Sequence, residues 1–159
     1  MTDFKQFLPL LTGAGIEFIV IGGVAANVHG SARLTKDLDI VYRRTGENLS
    51  RIVQSLAAVS PYLRGAPPGL PFKLDLETMK RGLNFTLTTS LGDLDLLGDI
   101  AGGGNYDNLI ADAVTIKLFG VECHCLNLEQ LIASKRAAGR PKDLEAIAEL
   151  ESLLSRQFD

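Results

Sequence analysis

The stretch EFIVIGGVAANVHGSARLTKDLDIV, Glu17 to Val41, constrains this chain more than any other. Glu17 to Ile21 is short, apolar and β-branched, which predicts a buried strand. Gly22-Gly23 breaks it, and VAANVHG then reads as a helix of about two turns ending at Gly30. A second strand is expected at Leu38 to Tyr42. On that strand Asp37 and Asp39 alternate with Leu38 and Ile40, so both carboxylates lie on one face, about 6.5–7 Å apart at Cα. Like charges so placed repel unless a cation lies between them. Hard oxygen ligands suit Mg²⁺, with Mn²⁺ as a substitute, and such an ion keeps room for water and substrate phosphate. Thirteen residues separate Gly23 from Asp37. Glycines at a strand-to-helix junction let a ligand approach the backbone, and the free amides of a helix start favour phosphate.

Elsewhere the periodicities predict a mixed α/β (α+β) fold. Asp3 opens a helix through Leu11, with Gly13 and Gly15 ending it. Leu49, Ile52, Val53 and Leu56 share one helical face. Ala66 to Pro71, APPGLP, marks a loop. LNFTLTT (Leu83 to Thr89) and LGDLDLLG alternate around a turn, as a hairpin should. Val114 to Phe119 and Val121 to Leu126 form a second hairpin around Gly120. Asn127 caps a helix that stops at Gly139, and Pro141 suits the first turn of the last helix. In GDLDLLGDI, Asp93 and Asp95 share a face, so a neighbouring strand would bring a third carboxylate towards Asp37 and Asp39. A third acid of this kind serves phosphoryl or nucleotidyl transfer.

At 159 residues, with 16 Lys plus Arg and 19 Asp plus Glu, the chain suits one domain, 1–159, with a core over about 16–126 and C-terminal helices over about 127–156. A net charge of −3 disfavours a non-specific nucleic-acid coat. The longest apolar run, Phe18 to Val28, falls far short of the roughly 20 residues a membrane span needs. With no export signal at its start, the chain is expected to be cytoplasmic, its two cysteines free. Cys123-His124-Cys125 would turn its histidine away from both thiols on a strand, and no other cysteine completes a zinc site. His29 reads as structural, and Gly102 to Gly104 as a connection, since the spacing is not that of a dinucleotide loop. Arg33 and Thr35 are candidates to steer a triphosphate, against a plain surface-loop reading. Lys135, Arg136, Arg140 and Lys142 form the one basic cluster.

The run from a buried strand into Gly-Gly, a helix and then TKDLDI resembles the nucleotidyltransferase-fold signature: apolar-Gly-(Gly or Ser), a spacer, then Asp-apolar-Asp-apolar, with a later acid on another strand. The terminal LIASKRAAGRPKDLEAI is similar to the Lys and Lys-Asp helix motifs of small bacterial nucleotidyltransferase-like proteins, relatives of the nucleotidyltransferase toxins of abortive-infection systems. The resemblance spans Phe18 to Ile147. It implies a small mixed sheet flanked by helices, with Gly22 and Gly23 as the phosphate turn and Asp37, Asp39 and Asp95 as metal ligands and catalytic acids. Asp93 is a rival for the third place. Lys135 and Lys142 would reach the triphosphate, with Asp143 nearby. Gly23 stands where many active members carry Ser, and Ala146 where the related toxins often carry a further acid.

The activity so implied is transfer of a nucleoside monophosphate from a nucleoside triphosphate such as ATP to an acceptor hydroxyl, with release of pyrophosphate. The acceptor, whether tRNA, protein or small molecule, is left open, as is a partner protein or homodimer. Alternatives are a nucleotide-binding or regulatory module without turnover, a toxin–antitoxin component acting on tRNA, and a structural protein whose acids only solubilise a sheet edge.

Overall fold

Strands with apolar residues at every second position, set between capped helices, build a single mixed sheet with helices against it. The computed structural model describes residues 2–157. Helix α1 (Phe4–Gly13) starts where the Asp3 carboxylate accepts from the Gln6 amide at 3.0 Å. Then come β1 (Phe18–Ile21), α2 (Gly22–Val28), β2 (Leu38–Tyr42) and α3 (Gly46–Leu56). Next are the two-residue β3 (Tyr62–Leu63), α4 (Leu76–Arg81), β4 (Asn84–Thr89) and β5 (Gly92–Leu97). The short α5 (Tyr106–Leu109) leads to the β6 (Val114–Leu118) and β7 (Val121–Cys125) hairpin, then α6 (Leu128–Ala138) and α7 (Pro141–Arg156).

The sheet has seven strands in the order β3-β4-β5-β2-β1-β7-β6. Two parallel pairings hold it together: β1 with β7, and β2 with β5. The other neighbours are antiparallel. Both expected hairpins are present. Three elements escape the sequence periodicity: β3, too short to show alternation, α4, one and a half turns capped by Asp75, and α5, a single turn capped by Asn105. Helix α2 begins at Gly22 itself, two residues before the expected Val24, so the Gly-Gly pair forms its first turn.

Register decides which face is dry. Leu38 and Ile40 stand opposite Leu94 and Leu96, which stand opposite Leu87 and Phe85. All six are buried, in one apolar cluster with Phe7, Leu8, Leu11, Ile52, Leu56 and Met79 from the helices. The opposite face carries Asp39, Asp95 and Thr86 in one cross-strand row, with Asp93 and Thr88 in the next. Cys123 and Cys125 are buried free thiols, and His124 between them is exposed. His29 is structural, with Nε2 2.7 Å from the Leu126 carbonyl.

One buried polar side chain ties α3 to the sheet. Asn48 is 1 % exposed; its Oδ1 accepts from the Glu17 amide at 2.7 Å, and its Nδ2 donates to the Glu17 and Arg43 carbonyls at 3.0 and 2.7 Å. Replacing it leaves the Glu17 amide and the Arg43 carbonyl without that partner, each costing about 1–3 kcal/mol less any relaxation, while the Glu17 carbonyl keeps the Arg43 amide. Asn48→Ala is therefore expected to destabilise the fold by about 2–4 kcal/mol, read as a lowered urea midpoint at an unchanged slope.

Candidate active site

The sheet brings the acids together by pairing strands far apart in sequence. Asp39 lies opposite Asp95 because β2 runs parallel beside β5. Asp37, immediately before β2, joins them, and one carboxylate oxygen from each of Asp37, Asp39 and Asp95 lies within 4.8 Å of the others. Six-coordinate Mg²⁺ at about 2.1 Å per ligand places its oxygens about 3–4 Å apart, so small side-chain adjustments close this cluster on one ion. Asp39 Oδ1 is buried with no hydrogen-bond partner. An orphaned carboxylate oxygen among two more carboxylates fits a divalent cation. Asp93 shares the face but stands outside that trio.

Burial pushes the Asp39 carboxyl up to about 7, helped by its hydrogen bond to Asp95 and the negative charges of Asp95 and Asp37, against the pull of Arg64. Without a cation, the cluster thus lowers its repulsion by keeping a proton.

Arg64 is the residue that sequence reading passes over. It follows β3, and its amide donates to the Thr86 carbonyl at 3.0 Å, which sets its side chain beside the acids. Nη2 lies 2.8 Å from Asp95 Oδ1, Nε 3.3 Å from Asp93 Oδ2, and Nη1 3.8 Å from Asp37 Oδ2. Nothing in the local sequence YLRGAPP announces this.

The glycines work through what they leave open. Gly22 has φ +66°, and a Cβ there would run into Asp39 Oδ2. A Cβ on Gly23 would meet Thr35 Oγ1 at 2.5 Å and Thr35 Cβ at 2.8 Å. The Thr35 hydroxyl thus fills the space that a side chain at Gly23 would need, so the chain carries a hydroxyl beside this turn even though Gly23 is not Ser.

A cavity of about 270 Å³ opens over Gly22 and Gly23, with Asp37 and Asp39 on one side and Arg33, Thr35, Lys135 and Lys142 among its other walls. Lys135 is largely buried, its Nζ 3.9 Å from Asp143 Oδ1. Burial lowers the Lys135 pKa, and Asp143 and then Asp39 oppose that. Asp143 is itself engaged, its carboxylate accepting from Arg140 Nε at 2.6 Å, which holds its pKa down. The basic cluster divides: Lys135, Arg140 and Lys142 face this cavity, whereas Arg136 pairs with Glu151 on α7. A second cavity of about 240 Å³ reaches Asp39 from elsewhere, between Asn84, Leu97 and Asp99 on one side and Leu131 and Ser134 on the other.

No protein-family model matches the chain. No curated protein matches it in sequence either. Solved structures do match in shape. The lincosamide antibiotic adenylyltransferase LnuA, bound to lincomycin, superposes with a TM-score of 0.60 at 14 % identity over 96 % of this chain and 98 % of that one. A putative nucleotidyltransferase from Thermotoga maritima gives 0.53 at 16 % over 96 % of each chain. An antigenic nucleotidyltransferase-like protein from Paracoccidioides brasiliensis gives 0.55 at 16 % over 95 % of this chain and 73 % of that one.

Two outcomes test this geometry. Gly23→Ser should destabilise the chain by about 1–3 kcal/mol through overpacking against Thr35, and adding Thr35→Gly should recover most of that in a denaturation cycle. In chelator, the folded chain keeps an Asp39 proton that the unfolded chain releases between pH 3.8 and about 7, so stability drains away as pH rises through that window. Asp39→Asn should therefore gain melting temperature over wild type at pH 8 and lose that advantage at pH 4. Equal differences at both would contradict the burial of this carboxyl. The mixed sheet, the two C-terminal helices and these structural neighbours together give the chain a nucleotidyltransferase fold.

Proposed function

We propose that the chain is a nucleotidyltransferase that moves a nucleoside monophosphate from a nucleoside triphosphate to an acceptor hydroxyl. The observation that carries this is the meeting of Asp37, Asp39 and Asp95 at the edge of a cavity floored by Gly22 and Gly23 and walled by cationic side chains. Acids alone would suit many cations, and a basic cavity alone many anions. Their junction suits a polyphosphate, whose charge needs both a metal and fixed cations. The similarity to an adenylyltransferase and two nucleotidyltransferase-type structures supports the same chemistry.

In this reading Asp37, Asp39 and Asp95 hold Mg²⁺, which when bound offsets phosphate charge and makes an acceptor hydroxyl more acidic. Gly22 and Gly23 let the phosphates come close to the start of α2. Lys135, braced by Asp143, presents its ammonium to the phosphates from α6, and Lys142 and Arg33 add charge from the cavity rim. Thr35 offers its hydroxyl beside the turn. The acceptor oxygen forms its bond to the α-phosphorus as the bond to the pyrophosphate oxygen breaks; pyrophosphate leaves with that electron pair, and the hydroxyl proton passes to water. The second cavity, which also touches Asp39 and Lys135, gives the acceptor a place from which to reach the same phosphorus.

Calorimetric titration with a non-hydrolysable nucleoside triphosphate tests the site. Binding is expected with Mg²⁺, reduced at least tenfold in chelator and in Asp39→Asn. Asp37→Asn and Asp39→Asn should each cut turnover of labelled triphosphate by at least a hundredfold while leaving the circular dichroism spectrum unchanged. Metal-dependent binding without turnover on any hydroxyl acceptor would favour a regulatory nucleotide-binding module. Triphosphate binding that ignores both metal and Asp39 would overturn the site.

A further inference from the structure

We propose that Arg64 is a built-in cation of the acidic site, filling the place of one divalent ion so that the cluster binds a single metal ion and not a pair. The inference rests on the reading that these acids hold metal, and it concerns how many ions they hold. Phosphoryl-transfer sites with two ions set them about 3.5–4 Å apart, with carboxylates shared between them. Such an arrangement needs carboxylate oxygens open on two sides of the cluster. Here one side is taken. Three nitrogens of one guanidinium face three different carboxylates, with Nη2 at 2.8 Å from Asp95, Nε at 3.3 Å from Asp93 and Nη1 at 3.8 Å from Asp37.

Arg64 is not a loose side chain swung in to fill an acidic surface. Its Nη2 donates to the Leu87 carbonyl at 2.8 Å, and its amide is paired with the Thr86 carbonyl, so both ends are pinned to β4. Its side chain is 26 % exposed, well inside the range where a pinned charge acts on its neighbours without full solvent screening. Asp39 is the one acid of the four that makes no ion pair with that guanidinium, whose charge reaches it only through space, and its Oδ1 is a buried oxygen without a hydrogen-bond partner. The open ligand set is therefore Asp39 together with the oxygens of Asp37 and Asp95 turned away from Arg64. That set serves one ion. A second divalent ion on the Arg64 side would meet a fixed positive charge at the oxygens it needs. Guanidinium suits the role because it stays protonated and its planar fork sets three nitrogens against three carboxylates.

Counting ions tests this without turnover. Mn²⁺ alone is titrated into the full chain while the free ion is followed by electron paramagnetic resonance. Wild type is expected to bind one ion per chain. Arg64→Gln, close in shape but neutral, should bind two, and Arg64→Lys, which keeps the charge, should stay at one. Should Arg64→Gln fail to give the wild-type circular dichroism spectrum, Arg64→Met replaces it as the neutral variant. Two ions on wild type, no ion on wild type, or one ion on the folded neutral variant overturns the inference. Its failure separates cleanly from that of the proposed function. Two ions on wild type with nucleotide transfer intact would sink the counting and spare the activity; one ion rising to two with no transfer on any acceptor would do the reverse.

Discussion

Carboxylates held close together in a half-buried place must be neutralised, and much of this molecule is arranged around that demand. Asp37, Asp39 and Asp95 converge at the junction of β2 and β5, and three answers to their repulsion are built in at once. Without a cation, Asp39 holds its proton further up the pH scale than an ordinary carboxyl, pushed up to about 7 by burial and by its acidic neighbours. Arg64 spreads one guanidinium over Asp95, Asp93 and Asp37. An orphaned oxygen on Asp39 leaves room for the third answer, a metal ion. A fold that gathered these acids for stability alone would gain more from apolar residues of similar volume, since clustered buried charge is costly. That cost is the physical ground for the ligand-binding role proposed for these acids.

The apolar side of the sheet supplies the rigidity that this arrangement needs. Leu38, Ile40, Leu94 and Leu96 are fully buried on the reverse of the same strands that carry Asp39 and Asp95. A slip of one residue in either strand would turn acids into the core and leucines into water, so packing on one face fixes the register of the acids on the other. Terminal helices α6 and α7 then bring Lys135 and Asp143 over Gly22 and Asp39, completing a site whose parts come from both ends of the chain.

Several features were legible because they are local. Alternation of Asp with Leu or Ile marks both acid-bearing strands, Asn127 and Gln130 mark the start of α6 by their reciprocal hydrogen bonds, and Gly139 in the left-handed region ends it. Helix α4 had a local signal too, with Asp75 at its cap, Glu77 in the first turn and Lys80 and Arg81 in the last, but it is too short for apolar periodicity. Arg64 had none. Its part in the site follows from β3 pairing with β4 and β4 with β5, and a loop sequence holds no trace of that. The basic cluster was legible as composition, but only the packing of α6 on α7 turned Arg136 towards Glu151 and left Lys135 facing the acids.

The sequence by itself determined which residue types could do chemistry and which faces they share: two acids on one strand face, a glycine pair at a strand-to-helix turn, a lysine on a capped helix. These are consequences of bond geometry over a few residues, with period two in strands and 3.6 in helices. Tertiary structure decided who meets whom. It chose Asp95 over Asp93 for the acid trio, put the Thr35 hydroxyl beside Gly23, and set Arg64 among the carboxylates. Those choices depend on strand register and on the parallel pairing of segments far apart in the chain. That pairing is set by the burial of the leucines behind them rather than by any local pattern.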